Sequence, residues 1–247
     1  MSRTEIHRKG TLVPQFPNLD WHFDASYIGG VTYNASNQVT DALDLVGNFT
    51  YTPATTAGNK LIYDPTLFNG KPAVYHPTYS NAKRDNRFTA IGPVSLPDEY
   101  TVVLVVKILA ENTESAAVSI HSSHDNAGGA GRVQIEANNG TLTHDSGSNG
   151  PDSNNFYAYT LPDEFVLAIT YDVPASLTTG YINGIQVFQD VSADGFYRSQ
   201  HRLLTNRNGR RARDQALLGE GLGFTTNLTP AQVLLISTAL RAKWNII

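Results

Sequence analysis

The chain has 247 residues, no cysteine and a formal net charge of −4. A chain of this length buries enough surface to form a stable core without covalent staples, and the lack of cysteine excludes disulfides, thiolate metal sites and cysteine nucleophiles. The acidic balance argues against a general nucleic-acid binder, which carries a basic footprint, and no segment has the apolar length of a secretory signal or a membrane-spanning helix.

Residues 1–18 are polar, carry Pro14 and Pro17 and lack apolar periodicity, which reads as an extended arm that docks on a neighbour; a frayed terminus is the alternative. From Trp21 onward, short β-type runs alternate with Gly, Asn, Asp, Ser and Pro clusters, so residues 19–247 are expected to form a single sandwich domain. Within residues 100–108 the continuous apolar run Val102-Val103-Leu104-Val105-Val106 predicts a central strand covered on both faces. Further strands are expected at 117–121, 132–136, 156–160, 164–171 and 216–224. In 132–136 the alternation points Val133 and Ile135 inward and Arg132, Gln134 and Glu136 outward. Tyr181-Ile182-Asn183-Gly184-Ile185-Gln186-Val187 predicts a hairpin, because Asn-Gly accommodates the positive φ angles of a type I′ turn.

Helical signals gather at the carboxyl end. Thr229, Pro230 and Gln232 combine an N-cap threonine, a first-turn proline and a glutamine at the third helical position, which is a capping-box pattern. Val233, Ile236, Leu240 and Trp244 then recur at intervals of three or four, while Arg241 and Lys243 suit the negative end of the helix dipole. A helix over about 229–244, lying flat on the sandwich, is the expectation.

Five segments carry a family resemblance, in the right order: Trp21-x-x-Asp24-Ala25-Ser26; Asn69-Gly70-Lys71-Pro72-Ala73-Val74; residues 100–107; Tyr181-Ile182-Asn183-Gly184; and Leu228-Thr229-x-Ala231 through Leu240-x-x-Lys243-Trp244. Together they resemble the concanavalin A-like, laminin-G-like domains common in structural and tail proteins of tailed bacteriophages. The resemblance implies an all-β fold, a two-sheet antiparallel β-sandwich (jelly roll) closed by one C-terminal amphipathic helix. Residues 41–48 depart from the pattern by keeping the acid and Gly47-Asn48 but lacking the family's tryptophan. Asn245 stands where the family has a closing glycine, and asparagine also tolerates a left-handed cap.

The same fold includes glucanases, whose chemistry needs two carboxylates roughly 5–10 Å apart across the scissile bond. The nearest pairs here are Asp41 and Asp44, Glu111 and Glu114, and Asp163 and Glu164, all in expected loops or at strand ends and read as solvated or turn-forming. Gly-x-Ser-x-Gly is absent, so serine catalysis has no support, and no phosphate loop is present. His121 and His124 form a close histidine pair, with no third histidine to complete a metal site. No cofactor is expected; calcium is the remaining option, since residues 24–34 and 145–152 offer oxygen ligands without singling out a site.

Residues 201–213 hold five arginines, Arg202, Arg207, Arg210, Arg211 and Arg213. They are read as candidates for a protein interface, since arginine pairs bidentately with carboxylates; a solvated loop and a nucleic-acid contact are the alternatives. For a glycan, an aromatic platform beside planar polar groups is wanted. Tyr79, Asn81, Arg84 and Asp85 offer one and Phe156 with Tyr157 another, the alternative being that these aromatics pack under their loops as core.

The expectation drawn from these residues and from the resemblance is a non-enzymatic virion protein of a tailed bacteriophage, a capsid decoration or tail component contacting other virion proteins or itself as a homo-oligomer. It would be synthesised in the host cytoplasm and not secreted through a signal peptide. The alternative is a carbohydrate-binding, lectin-like adhesion module that recognises a cell-surface glycan, and a glycoside hydrolase comes third. Neither nucleic acid nor membrane is expected as a partner.

Overall fold

The computed structural model describes residues 17–52, 61–75, 88–91, 98–109, 118–124, 132–138, 140–146, 153–191, 200–204 and 216–247. Its strands are, in chain order, β1 (Leu19–Asp24), β2 (Val31–Tyr33), β3 (Val39–Ala42), β4 (Thr50–Thr52), β5 (Ile62–Phe68), β6 (Lys71–Tyr75), β7 (Phe88–Ile91), β8 (Glu99–Ile108), β9 (Val118–His124), β10 (Arg132–Asn138), β11 (Thr141–Ser146), β12 (Ser153–Ala158), β13 (Asp163–Asp172), β14 (Leu177–Ile182), β15 (Ile185–Val191), β16 (Gln200–Leu203) and β17 (Ala216–Phe224). The helix α1 (Pro230–Trp244) follows. One sheet has eight strands, ordered β15-β14-β13-β8-β17-β6-β5 with β1 added to β17. The facing sheet has seven, ordered β12-β11-β10-β9-β16-β7-β4, and β2 pairs with β3 apart from both. All these pairings are antiparallel. The architecture is the two-sheet β-sandwich with a C-terminal helix that the sequence implies.

The apolar run of residues 100–108 lies in β8, between β13 and β17, and it is continuous because both of its faces are covered. Val102, Leu104, Val106 and Ile108 face the seven-stranded sheet and join Trp21, Phe23, Tyr51, Ile120, Leu142, Phe165, Leu167 and Ile169 in the inter-sheet core. Val103 and Val105 point the other way and pack with Val166, Ala168, Leu222 and Phe224 under the helical stripe Val233, Ile236, Leu240 and Trp244. Burying each such side chain contributes roughly 1.5–3 kcal/mol toward holding α1 on the sheet.

Strand β17 is buried along its whole length although three of its nine residues are glycine. A Cβ on Gly221 would come within 2.8 Å of Trp21 Cζ3, and one on Gly223 would overlap the same indole. On the opposite face, a Cβ on Gly219 would come within 2.6 Å of Trp244 Cζ3. The glycines are therefore the space into which two tryptophans lie flat. Against β8 the register of β17 breaks between Leu218 and Glu220. That bulge resets the alternation: Ala216 and Leu218 face the inter-sheet core, whereas Leu222 and Phe224 face the helix. Glu220 is turned to the helix side with them, where it meets Trp244.

The termini of α1 form as the sequence predicts. The Thr229 hydroxyl accepts from Gln232 N while the Gln232 side chain accepts from the Thr229 backbone, Pro230 sits in the first turn, and Asn245 closes the helix in the left-handed region at φ 55°. The Asn183-Gly184 turn joins β14 to β15 with φ of 54° and 85°, as a type I′ hairpin requires. The expected strand at 132–136 is β10, and those at 117–121, 156–160, 164–171 and 216–224 fall within or largely overlap β9, β12, β13 and β17. Residues 1–16 of the expected arm lie outside the described residues.

Candidate functional site

Because side chains alternate along a strand, β1 sends Trp21 and Phe23 into the inter-sheet core and turns His22 and Asp24 toward α1. There, wholly buried Glu220 accepts hydrogen bonds from His22 Nε2 (2.7 Å) on one oxygen and from Lys243 Nζ (2.6 Å) and Trp244 Nε1 (2.7 Å) on the other. Lys243 Nζ also donates to Asp24 Oδ2 at 2.7 Å, and Asp24 Oδ1 accepts from the Ser26 backbone and hydroxyl. Burial pushes the Glu220 carboxyl up, but the hydrogen bond and charge of His22 and the charge of Lys243 outweigh it, holding the group below the usual carboxylate range. Burial likewise lowers Lys243, and the charges of Glu220 and Asp24 outweigh it, leaving its ammonium above its ordinary value.

Ligand atoms of His22, Asp24 and Glu220 lie within 4.8 Å of one another, a spacing that suits a metal ion. Lys243 bridges two of the three, so its ammonium supplies the positive charge that an ion would bring. The cluster is an internal lock joining β1, β17 and α1. It also commits Asp24, the leading carboxylate of the loop that the sequence offered to calcium, to protein partners. A lone glutamate in an apolar strand and a lysine beside the tryptophan of the helical stripe were the sequence signals for it.

The acid of residues 41–48 has a second structural role. Asp44 is buried, with Oδ1 accepting from the backbone N–H of His22 (2.8 Å) and Val46 (3.1 Å) and Oδ2 from those of Asn48 (2.8 Å) and Phe49 (2.9 Å). Burial raises its pKa, and the four N–H donors pull against that shift. Asn48 Nδ2 completes the fold of the loop by donating to Asp20 O at 2.9 Å.

Of the other paired carboxylates, Asp163 and Glu164 are successive residues of β13. Asp163 accepts from Tyr157 Oη at 3.3 Å, and Glu164 pairs with Lys107 at 2.8 Å. Glu111 and Glu114 lie outside the described residues, and His121 and His124 fall on β9, whose side chains there are not described. Arg202 lies on β16, paired through its backbone with Thr89 and Ser122. Arg207, Arg210, Arg211 and Arg213 lie outside the described residues, as do Tyr79, Asn81, Arg84 and Asp85. Phe156 and Tyr157 are half-buried against the inter-sheet core: Phe156 meets Phe188 at a centroid distance of 4.6 Å, and Tyr157 is edge-on to Phe165 at 5.7 Å.

A different aromatic pair is presented to solvent. Tyr33 at the end of β2 stacks on Tyr63 of β5, with centroids 4.5 Å apart and an interplanar angle of 13°. Tyr63 packs on the inter-sheet core with its inner side, and Tyr33 lies outermost, 46% exposed. The pair is held by its backbone. In the β2–β3 turn, Asn34 Oδ1 accepts from Ser36 N and Gln38 N, Asn34 Nδ2 donates to Gln38 Oε1 at 3.1 Å, and Asn37 takes φ 58°. The hairpin is clamped along β5, the edge strand of its sheet, by Tyr63 N donating to Asn37 O and Val39 N donating to Leu61 O, each at 2.8 Å. The result is a rigid ring platform with adjoining amide groups. Sequence reading missed it, because Tyr33 and Tyr63 are 30 positions apart and neither stands in an aromatic cluster.

Inside the sandwich, His144 of β11 is fully buried, 5.3 Å from Phe188 and 6.4 Å from Tyr171 between centroids. Neither ring nitrogen meets a hydrogen-bond partner among the described residues. Burial lowers its pKa to about 4, against a smaller opposing effect of Asp190.

Compared by sequence, the chain matches no family model and no curated protein. By structure it is similar to several solved proteins. A sialidase of Trypanosoma rangeli in complex with the inhibitor DANA aligns with a TM-score of 0.60 at 10% identity, over 94% of this chain and 36% of the sialidase. Domain 4 of AbnA, a GH43 extracellular arabinanase from Geobacillus stearothermophilus, in complex with arabinotriose, aligns with a TM-score of 0.57 at 16% identity, over 89% of this chain and 98% of that domain. The binding domain of botulinum neurotoxin DC in complex with SialylT aligns with a TM-score of 0.60 at 11% identity, over 90% of this chain and 52% of that one. The chain thus spans about a third of the sialidase, about half of the neurotoxin domain and nearly the whole arabinanase domain. At these identities the likeness establishes the β-sandwich fold. None of these three is a virion protein.

Proposed function

We propose that the chain is a non-enzymatic, lectin-like carbohydrate-binding module. The observation that carries this reading is the stacked Tyr33–Tyr63 platform, with Tyr33 exposed, fixed by the Asn34–Gln38 turn of the hairpin that pairs with the edge strand β5. Carbohydrates are bound by laying the apolar face of a pyranose or furanose ring on an aromatic side chain while neighbouring polar groups bond its hydroxyls, and a rigid platform loses little entropy on binding. Support also comes from the folds it resembles, two of which were solved with a saccharide bound, arabinotriose in one and SialylT in the other. The non-enzymatic part rests on the carboxylates. Among the described carboxylates, Asp24, Asp44, Glu164 and Glu220 are each committed to backbone or cationic partners, so none of these four is poised as a free acid or base across a bond, while Glu111 and Glu114 lie outside the described residues. The virion reading rests on the family resemblance, the missing catalytic motifs, the arm and the arginines; residues 1–16 of the arm and four of the five arginines lie outside the described residues.

A glycan array probed with the full chain tests the proposal. Retention of the wild type on a set of glycans, at least tenfold weaker for Tyr33→Ala, is expected, with no release of reducing ends from those glycans. Absence of binding across the array contradicts the carbohydrate reading, and turnover contradicts the non-enzymatic one.

A further inference from the structure

We propose that the Tyr33–Tyr63 platform is selective for uncharged saccharides and discriminates against sialylated and uronic-acid glycans. The inference rests on the lectin reading above and names the ligand class of the same site. Residues 31–42 and 61–68, which form the platform, contain two acids, Asp41 and Asp64, and no lysine, arginine or histidine. Asp64 follows Tyr63 directly on β5; one of its oxygens accepts from Thr66 N at 2.8 Å, and its charge, after burial and Tyr33, helps to raise the Tyr63 hydroxyl's pKa. Among the described residues, Asp64 is thus the charged group that acts on the rings, and it is an acid. A sugar carboxylate is usually held by a guanidinium fork or by converging N–H donors, and here it would meet like charge instead. A neutral sugar has no such conflict. Its apolar face covers the outer ring of Tyr33, and its hydroxyls reach the second N–H of Asn34 Nδ2, whose first is given to Gln38 Oε1.

Calorimetric titration of the full chain with arabinotriose, lactose and 3′-sialyllactose, at low and at physiological salt, decides the matter. The expected result is binding of at least one neutral sugar, at least tenfold tighter than 3′-sialyllactose, with the gap narrowing as salt screens Asp41 and Asp64. Tyr33→Ala should abolish that binding and Tyr33→Phe should keep it, since the ring and not the hydroxyl supplies the stacking; unchanged melts confirm that both variants fold. Preference for 3′-sialyllactose overturns the neutral assignment while leaving the lectin reading intact. Neutral-sugar binding that survives Tyr33→Ala overturns the site. Failure to bind any saccharide, with array binding also absent, removes the lectin reading itself.

Discussion

Lys243, near the end of the last helix, reaches Asp24, at the end of the first strand, across a buried distance of 2.7 Å. The same ammonium holds Glu220 at 2.6 Å, so one cation ties together elements that lie 219 and 23 residues away in the chain. Cutting such a network on one side leaves charges without a partner in a low-dielectric site, which typically costs about 3–5 kcal/mol. Lys243→Ala is expected to lose that much in urea unfolding. A loss under about 1 kcal/mol would show that water reaches the cluster.

The Asp44 clasp distinguishes charge from shape. Replacement by asparagine keeps the volume but turns an NH2 group toward the N–H of Asn48 and Phe49, where the carboxylate accepted from both. Asp44→Asn should therefore destabilise nearly as much as Asp44→Ala, by about 3 kcal/mol, since each leaves buried donors unsatisfied. Melting of Asp44→Asn close to the wild type would contradict this account of the loop.

His144 makes stability sensitive to mild acid. Its folded pKa, about 4, lies below the ordinary 6.5, so the fold prefers the neutral ring. The sign follows: this contribution is complete above pH 6.5 and is lost as pH falls through 4, amounting to about 3 kcal/mol over the window. Thermal melts of His144→Leu should show a flatter dependence than wild type between pH 6.5 and 4. The window below 4.5 belongs to Glu220, whose lowered pKa gives stability that is present above 4.5 and lost as pH falls further. Parallel profiles for the two proteins down to pH 4 would show that the ring is not charged on unfolding in that range.

Much of the fold was legible because its signals are local. The Val102–Val106 run, the Asn183-Gly184 turn and the capping residues Thr229, Pro230 and Gln232 each need only near neighbours to be read. The buried network was half legible: Asp24 and Lys243-Trp244 stand in the segments that carry the family resemblance, but their meeting depends on the bulge at Gly219 that turns Glu220 toward the helix. The candidate binding site was not legible at all. Tyr33 and Tyr63 meet only because the β2–β3 hairpin folds over the edge of β5, a contact made by backbone groups that any residue possesses. Conversely, Phe156 and Tyr157, chosen from sequence for a glycan, are drawn into the core margin by Phe188 and Phe165.

The most direct test of the central claim is a ring-resolved NMR titration of tyrosine-labelled protein with a neutral oligosaccharide such as arabinotriose. The signals of Tyr33 and Tyr63 are expected to shift first and saturate together, while Tyr157 stays in place. Shifts centred on Tyr157, or tyrosine signals that all stand still while the array shows binding, would contradict that claim.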